Sequence, residues 1–100
     1  MSYSEKLEND TLIITVEGEI DLENSDNLRN QVSTALENNT AVSLEMSGVN
    51  YIDSSGVAVL IEGKQKAAEG SKQFKIKKPN EAVISVLKLA NLDSFFDIEN

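Results

Sequence analysis

Histidine and cysteine are both absent from these 100 residues. Without histidine, the chain lacks the commonest general base and the commonest metal ligand. Without cysteine, it has no disulfide and no thiolate metal site. No apolar run approaches the roughly 18 residues of a membrane-spanning helix, and no signal-peptide pattern opens the chain, so a soluble cytoplasmic protein with no membrane partner is expected. No segment is low in complexity, no period repeats and no stretch reads as a linker. A single domain over residues 1–100 is therefore expected, large enough to bury roughly 65% of its unfolded surface without a staple.

Positive charge is scarce as well, and unevenly placed. The net charge is −8; residues 1–62 hold twelve acids against Lys6 and Arg29, while residues 63–100 hold seven lysines against five acids. Binding to nucleic acid needs a positive surface that releases counterions from phosphates, so nucleic acid is not an expected partner. The lysines of SKQFKIKK (Ser71–Lys78) read as guards on a strand whose Phe74 and Ile76 turn inward.

What remains is a clear alternation of periods. A strand near Tyr3–Glu8 is expected to pair with one over Thr11–Glu17 through a turn at Asn9-Asp10, with Leu12, Ile14 and Val16 on one face. From Asn24 the period becomes helical: Leu28, Val32, Ala35 and Leu36 share a face, and the helix ends near Asn38-Asn39. Ala41–Met46 alternates again, Ser47-Gly48 breaks it, and Val49–Ile52 leads to a second helix. That helix has an expected buried stripe of Val57, Leu60, Ile61 and Ala68 and a C-cap at Gly70. Gly63 inside it implies close approach of a neighbouring backbone. Phe74 and Ile76 form a further strand, Pro79 stops it, and Asn80 caps a third helix carrying Val83, Val86, Leu87 and Ala90. Phe95, Phe96 and Ile98 close the chain. This order predicts an α/β fold: a mixed, mostly parallel sheet of four to five strands, with helices mainly on one face.

Chemistry in such sheets gathers at the carboxyl ends of strands. Two loops qualify, GEIDLEN (Gly18–Asn24) and NYIDSSG (Asn50–Gly56), and neighbouring strands would bring Asp21 and Asp53 to flank Ser54 and Ser55. A hydrolase reading fails for want of G-x-S-x-G and a histidine base. A P-loop fails for want of G-x-x-x-x-G-K-[ST]. An aspartyl-phosphate receiver at Asp53 would need a second cluster of acids for magnesium. Two readings stay open: Asp53 or Ser54 simply caps the second helix, or a serine at this junction accepts a phosphate. In the second case the free N–H groups of the helix start would tolerate the phosphate, and Gly56 would keep the turn low for an approaching protein. A partner docking there would meet Val57, Ala58, Leu60 and Ile61.

The segments GEIDLENSDNLRNQV, SLEMSGVNYIDSSGVAVL and VLKLANLDSFFDI together resemble the STAS domain (sulphate transporter and anti-sigma factor antagonist), above all its free-standing bacterial antagonists. The likeness covers nearly the whole chain. It implies a regulatory protein that is not an enzyme and that uses no cofactor or metal. Its implied partner is an anti-sigma factor that is also a serine kinase of the histidine-kinase-like ATPase fold; a metal-dependent serine phosphatase reverses the phosphorylation. The implied acceptor is Ser54, directly after the aspartate, with Asp21, Asp53, Ser55 and Gly56 around it. Relatives often read Ser-Gly-Leu-Gly where this chain has Ser55-Gly56-Val57-Ala58, which puts the choice of kinase in question. Some members do not switch and act as constitutive scaffolds or as subunits of signalling or lipid-transport complexes.

Overall fold

The computed structural model describes all 100 residues. The chain runs β1 (Ser2–Glu8), β2 (Thr11–Ile20), α1 (Ser25–Asn38), β3 (Ala41–Ile52), α2 (Ser54–Glu69), β4 (Gln73–Lys77), α3 (Glu81–Leu89) and β5 (Asp97–Glu99). The five strands lie side by side in chain order. Only β1 and β2 are antiparallel, and the other three pairings are parallel. Their connection is the expected Asn9-Asp10 turn, with φ of 51° and 68° at the two residues. Positive φ at both central positions is the hairpin geometry that matches strand twist, and Asn and Asp tolerate it.

Three successive parallel steps in one direction, each right-handed, place α1, α2 and α3 on a common face. The register shows which side chains they cover. Ile14, Leu44, Ile76 and Ile98 form one continuous row across β2–β5, and the first three are fully buried. The adjoining row, Ile13, Ser43, Lys75 and Asp97, faces away from the helices. Alternation along β2–β4 thus gives one face under the helices and one turned away from them, on which Ser43 is nonetheless buried.

The carboxyl ends of β2 and β3 depart from the sequence expectation. Instead of stopping near Glu17 and breaking at Ser47-Gly48, both strands continue, to Ile20 and Ile52. The register slips between Thr15 and Glu17, and again between Gly18 and Glu19. Five steps along β2, from Thr15 to Ile20, match seven along β3, from Glu45 to Ile52. Each slip therefore inserts one extra residue into β3. Met46, Val49 and Ile52 all reach the core at a spacing of three, which a period of two cannot do without bulges. Asn80 stabilises this region: its side chain caps α3 by accepting from Ala82 N and Val83 N, and its amide donates to the carbonyls of Ser47 and Val49.

Two other expectations are corrected. The inward face of α2 carries Gly56, Val57, Val59, Leu60, Gly63 and Ala67, so Ala67 is buried and Ala68 is exposed. Gly63 makes room for side chains rather than for backbone. A Cβ there would lie 3.0 Å from Phe74 Cζ and 3.2 Å from Val32 Cγ1.

Candidate functional site

Ile20 pairs with Ile52 at the carboxyl edge of the sheet, and Asp53 N donates to Ile20 O at 3.2 Å. The residues that follow, Asp21 and Asp53, therefore leave neighbouring strands side by side, as the alternation of elements predicts. Their carboxylates have different work. Asp21 closes its own loop: Oδ1 accepts from Glu23 N at 3.0 Å, while Asp21 N donates to Asn24 Oδ1 at 2.9 Å. This is an Asx-type turn that leads into α1.

Asp53 is the cap of α2. Its Oδ1 accepts from Ser55 N at 2.9 Å, from Gly56 N at 3.3 Å and from the Ser55 hydroxyl. Its carboxyl is held below the ordinary aspartate range first by the Ser55 hydroxyl, and then, against some desolvation, by the backbone N–H groups of Gly56, Ser55 and Leu22. Hydrogen bonds to the charged form favour ionisation. The two loops are joined through the backbone, where Asp53 N donates to Ile20 O. Asp53, not Ser54, is the cap. Two of the helix N–H groups that a phosphate could use, those of Ser55 and Gly56, are already satisfied by this carboxylate.

Ser54 is exposed and lies outside that network. It stands at one end of a groove of about 410 Å³ between α2 and α3, lined otherwise by Val57, Ala58, Ile61, Val86, Leu89 and Ala90. No lysine or arginine lines the groove. The helical spacing of Ser54, Val57, Ala58 and Ile61 puts them along one ridge of α2.

Ala58 and Ile61 are half-buried, and Val57, though 8% exposed, contributes to the groove wall. Leu60 does not belong there: it is fully buried beneath the helix. Its position a turn after Gly56 and Val57 puts it on the core side, where no partner can reach it. Gly56 is also corrected. It faces inward, where a Cβ would come within 2.7 Å of both Ile20 and Ile52, so its role is close packing of α2 on the sheet.

Val86, Leu89 and Ala90 on the opposite wall were not anticipated as surface residues. The signal was available: α3 reads EAVISVLKL, apolar almost all round, which is more than one core-facing stripe requires. Val83 and Leu87 take the core side, and Leu89 is 87% exposed.

Residues 4–98 match the family model described as "Mlab, STAS domain". A crystal structure of a candidate anti-sigma factor antagonist from Thermotoga maritima is similar at 26% identity and a TM-score of 0.90, with 98% of this chain and 86% of that one covered. An anti-sigma factor antagonist from Mycobacterium paratuberculosis shares the fold at 19% identity and a TM-score of 0.89, with 98% and 84% covered. So does the phosphorylated form of the Bacillus cell fate determinant SpoIIAA, at 18% identity and a TM-score of 0.76, with 99% and 92% covered. The sheet order, the Asp53-Ser54-Ser55-Gly56 junction and a family match over residues 4–98 agree: this chain belongs to the STAS domain family.

Proposed function

We propose that this chain is an anti-sigma factor antagonist that works as a phosphorylation-controlled partner switch. In the unphosphorylated form it binds an anti-sigma factor that is itself a serine kinase, and the sigma factor is freed. Transfer of a phosphate to Ser54 ends the complex, and a metal-dependent serine phosphatase restores it. The domain performs no catalysis of its own.

The observation that carries this reading is the placing of Ser54: exposed, at the end of an apolar groove without a cation. A hydroxyl at that spot adds little to the energy of burying the groove under a partner. A phosphoserine adds about −1.5 to −2 charges near neutral pH. Asp53 already occupies the N–H groups of Ser55 and Gly56, so the new charge meets a carboxylate and only part of a cradle. The groove supplies no compensating cation, and the penalty falls on the interface. The solved structures similar to this chain include SpoIIAA in both its unphosphorylated and its phosphorylated form, which supports a reading built on a single reversible modification.

The test is incubation with an anti-sigma factor serine kinase and ATP, followed by intact mass and peptide mapping. One phosphate, about 80 Da, on Ser54 and resistant to hydroxylamine is expected. A hydroxylamine-labile phosphate on Asp53 would point to a receiver instead. An unmodified chain that still binds the kinase would point to a constitutive subunit.

A further inference from the structure

Two serines stand side by side at the start of α2, and the domain treats them oppositely. Ser54 is exposed, whereas Ser55 is half-buried and hydrogen-bonded to Asp53 through both its hydroxyl and its backbone N–H. An ionised carboxylate can only accept, so the hydroxyl proton of Ser55 points at Asp53. A hydroxyl has one proton to donate, and that of Ser55 is already committed.

We propose that Asp53 is the residue that decides which serine is modified: by holding the Ser55 proton, it withholds Ser55 and leaves Ser54 as the sole acceptor. This rests on the reading of Ser54 as a phosphoacceptor and adds to it a positioning residue, since Asp53 would act through Ser55 and not on the transferred group.

Phosphoryl transfer forms a bond between serine Oγ and the γ-phosphorus of ATP. It breaks the bond from that phosphorus to the β–γ bridging oxygen, and ADP leaves. The hydroxyl proton must pass to a base, which in a kinase is an acidic side chain of the enzyme. Ser54 can turn its proton toward that base. Ser55 would first have to break a charge-assisted hydrogen bond, a class roughly twice as strong as a neutral one. Asp53 is a poor substitute for the enzyme's base, because its own N–H and O–H partners stabilise the ionised form. The carboxylate holds the proton in place without taking it. Losing a properly directed proton transfer slows such a step by about 100-fold or more, so a kinase docked over this junction is expected to discriminate between adjacent serines on that scale.

The experiment uses the full chain, one anti-sigma factor serine kinase and ATP, with site-resolved mass spectrometry over time. Wild type should carry phosphate on Ser54 only. Ser54→Ala should incorporate phosphate roughly 100-fold more slowly or worse, with any residual phosphate on Ser55. Ser54→Ala combined with Asp53→Ala should gain phosphate on Ser55, and combined with Asp53→Asn should fall between, because an amide oxygen still accepts from Ser55 but without charge. The Asp53→Asn combination keeps the test valid if Asp53→Ala fails to fold. A measurement without kinase accompanies these: the Ser55 hydroxyl proton should exchange slowly with solvent in wild type and quickly in Asp53→Ala or Asp53→Asn. Incorporation on Ser55 in the Ser54→Ala single variant at the wild-type rate would overturn the assignment, as would double variants that remain unmodified. Absence of phosphate on wild type itself is a different outcome, which overturns the Ser54 reading and this one with it.

Discussion

Two grooves flank the same helix. Between α1 and α2 lies one of about 390 Å³, lined mostly by polar and charged residues, including Arg29, Glu62, Lys66 and Glu69. Between α2 and α3 lies one of about 410 Å³, walled by apolar side chains with Ser54 at its end. The first is spanned by ion pairs: Arg29 Nε donates to Glu62 Oε1 at 2.7 Å, Arg29 also reaches Asp26, and Lys66 Nζ lies 3.4 Å from Glu37 Oε2. The second has none. Size is similar and chemistry is opposite, and the difference indicates where a new charge would matter. A phosphate beside Arg29 would lie next to a cation of its own domain, although one shared with Glu62 and Asp26. A phosphate on Ser54 would not, so its charge is felt by whatever covers the groove.

The comparison breaks most readily if a fixed charge is moved from one groove to the other. Ala58→Asp puts a carboxylate one helical turn from Ser54, on the apolar wall. An unpaired charge in a covered interface typically costs 3–5 kcal/mol, so affinity for the anti-sigma factor kinase should fall roughly 150- to 4,000-fold. Ser33→Asp, in the ion-paired groove, should leave that affinity within about threefold, since surface charges typically contribute under about 1 kcal/mol. Isothermal titration of both variants decides the matter, and equal losses would show that the two grooves are not distinct.

Smaller effects sharpen the contrast between α2's packing and its exposed ridge. Gly56→Ala should destabilise the fold by about 1–3 kcal/mol in urea denaturation, because its Cβ has no room between Ile20 and Ile52. Gly63→Ala should cost less. Only the Phe74 ring and a Val32 methyl must give way, and the helix gains up to about 1 kcal/mol in propensity. Leu89→Ala should leave stability within about 0.5 kcal/mol, since the side chain is 87% exposed. The same change should weaken the kinase complex roughly tenfold if Leu89 is an anchor of the docking surface.

The least perturbing tests concern charge alone. Arg29→Ala should cost at most about 1 kcal/mol, less at high salt, because its ion pairs are solvent-accessible. Asp53 offers a test by pH. Its folded pKa is depressed, so its stabilisation is fully present above the unfolded aspartate value of about 3.9 and is lost as pH falls through the lower folded value. The stability difference between wild type and Asp53→Asn should therefore be constant from neutral pH to about pH 4, and should shrink below it. Denaturation curves at pH 7, 4 and 3 check this.

The sequence carries the sheet and the position of the motif plainly, and hides the site's inner workings. Ile14, Val42, Leu44, Phe74 and Ile76 announce their strands because burial on one face forces a period of two. Asn9-Asp10 and Asn80 announce their turn and cap because few residues suit those conformations. By contrast, Met46, Val49 and Ile52 recur every three residues, a spacing of neither helix nor strand, and only the pairing with β2 explains it as two bulges. Leu60 and Ile61 look equally apolar; one is core and the other is groove wall, and the choice depends on how Gly56 seats α2 against Ile20 and Ile52. The bond from Asp53 N to Ile20 O depends on the Ile20–Ile52 register, which couples residues 32 positions apart. That contact is tertiary, and no local pattern encodes it.

A charge on Ser54 meets no lysine or arginine in the groove it borders and is therefore borne by the interface. The most direct test is the dissociation constant of the anti-sigma factor kinase complex for chain carrying serine at position 54 and for chain carrying phosphoserine there, measured side by side at one salt concentration. A rise of roughly 150-fold or more is the predicted result. Two constants within threefold of each other would contradict the account.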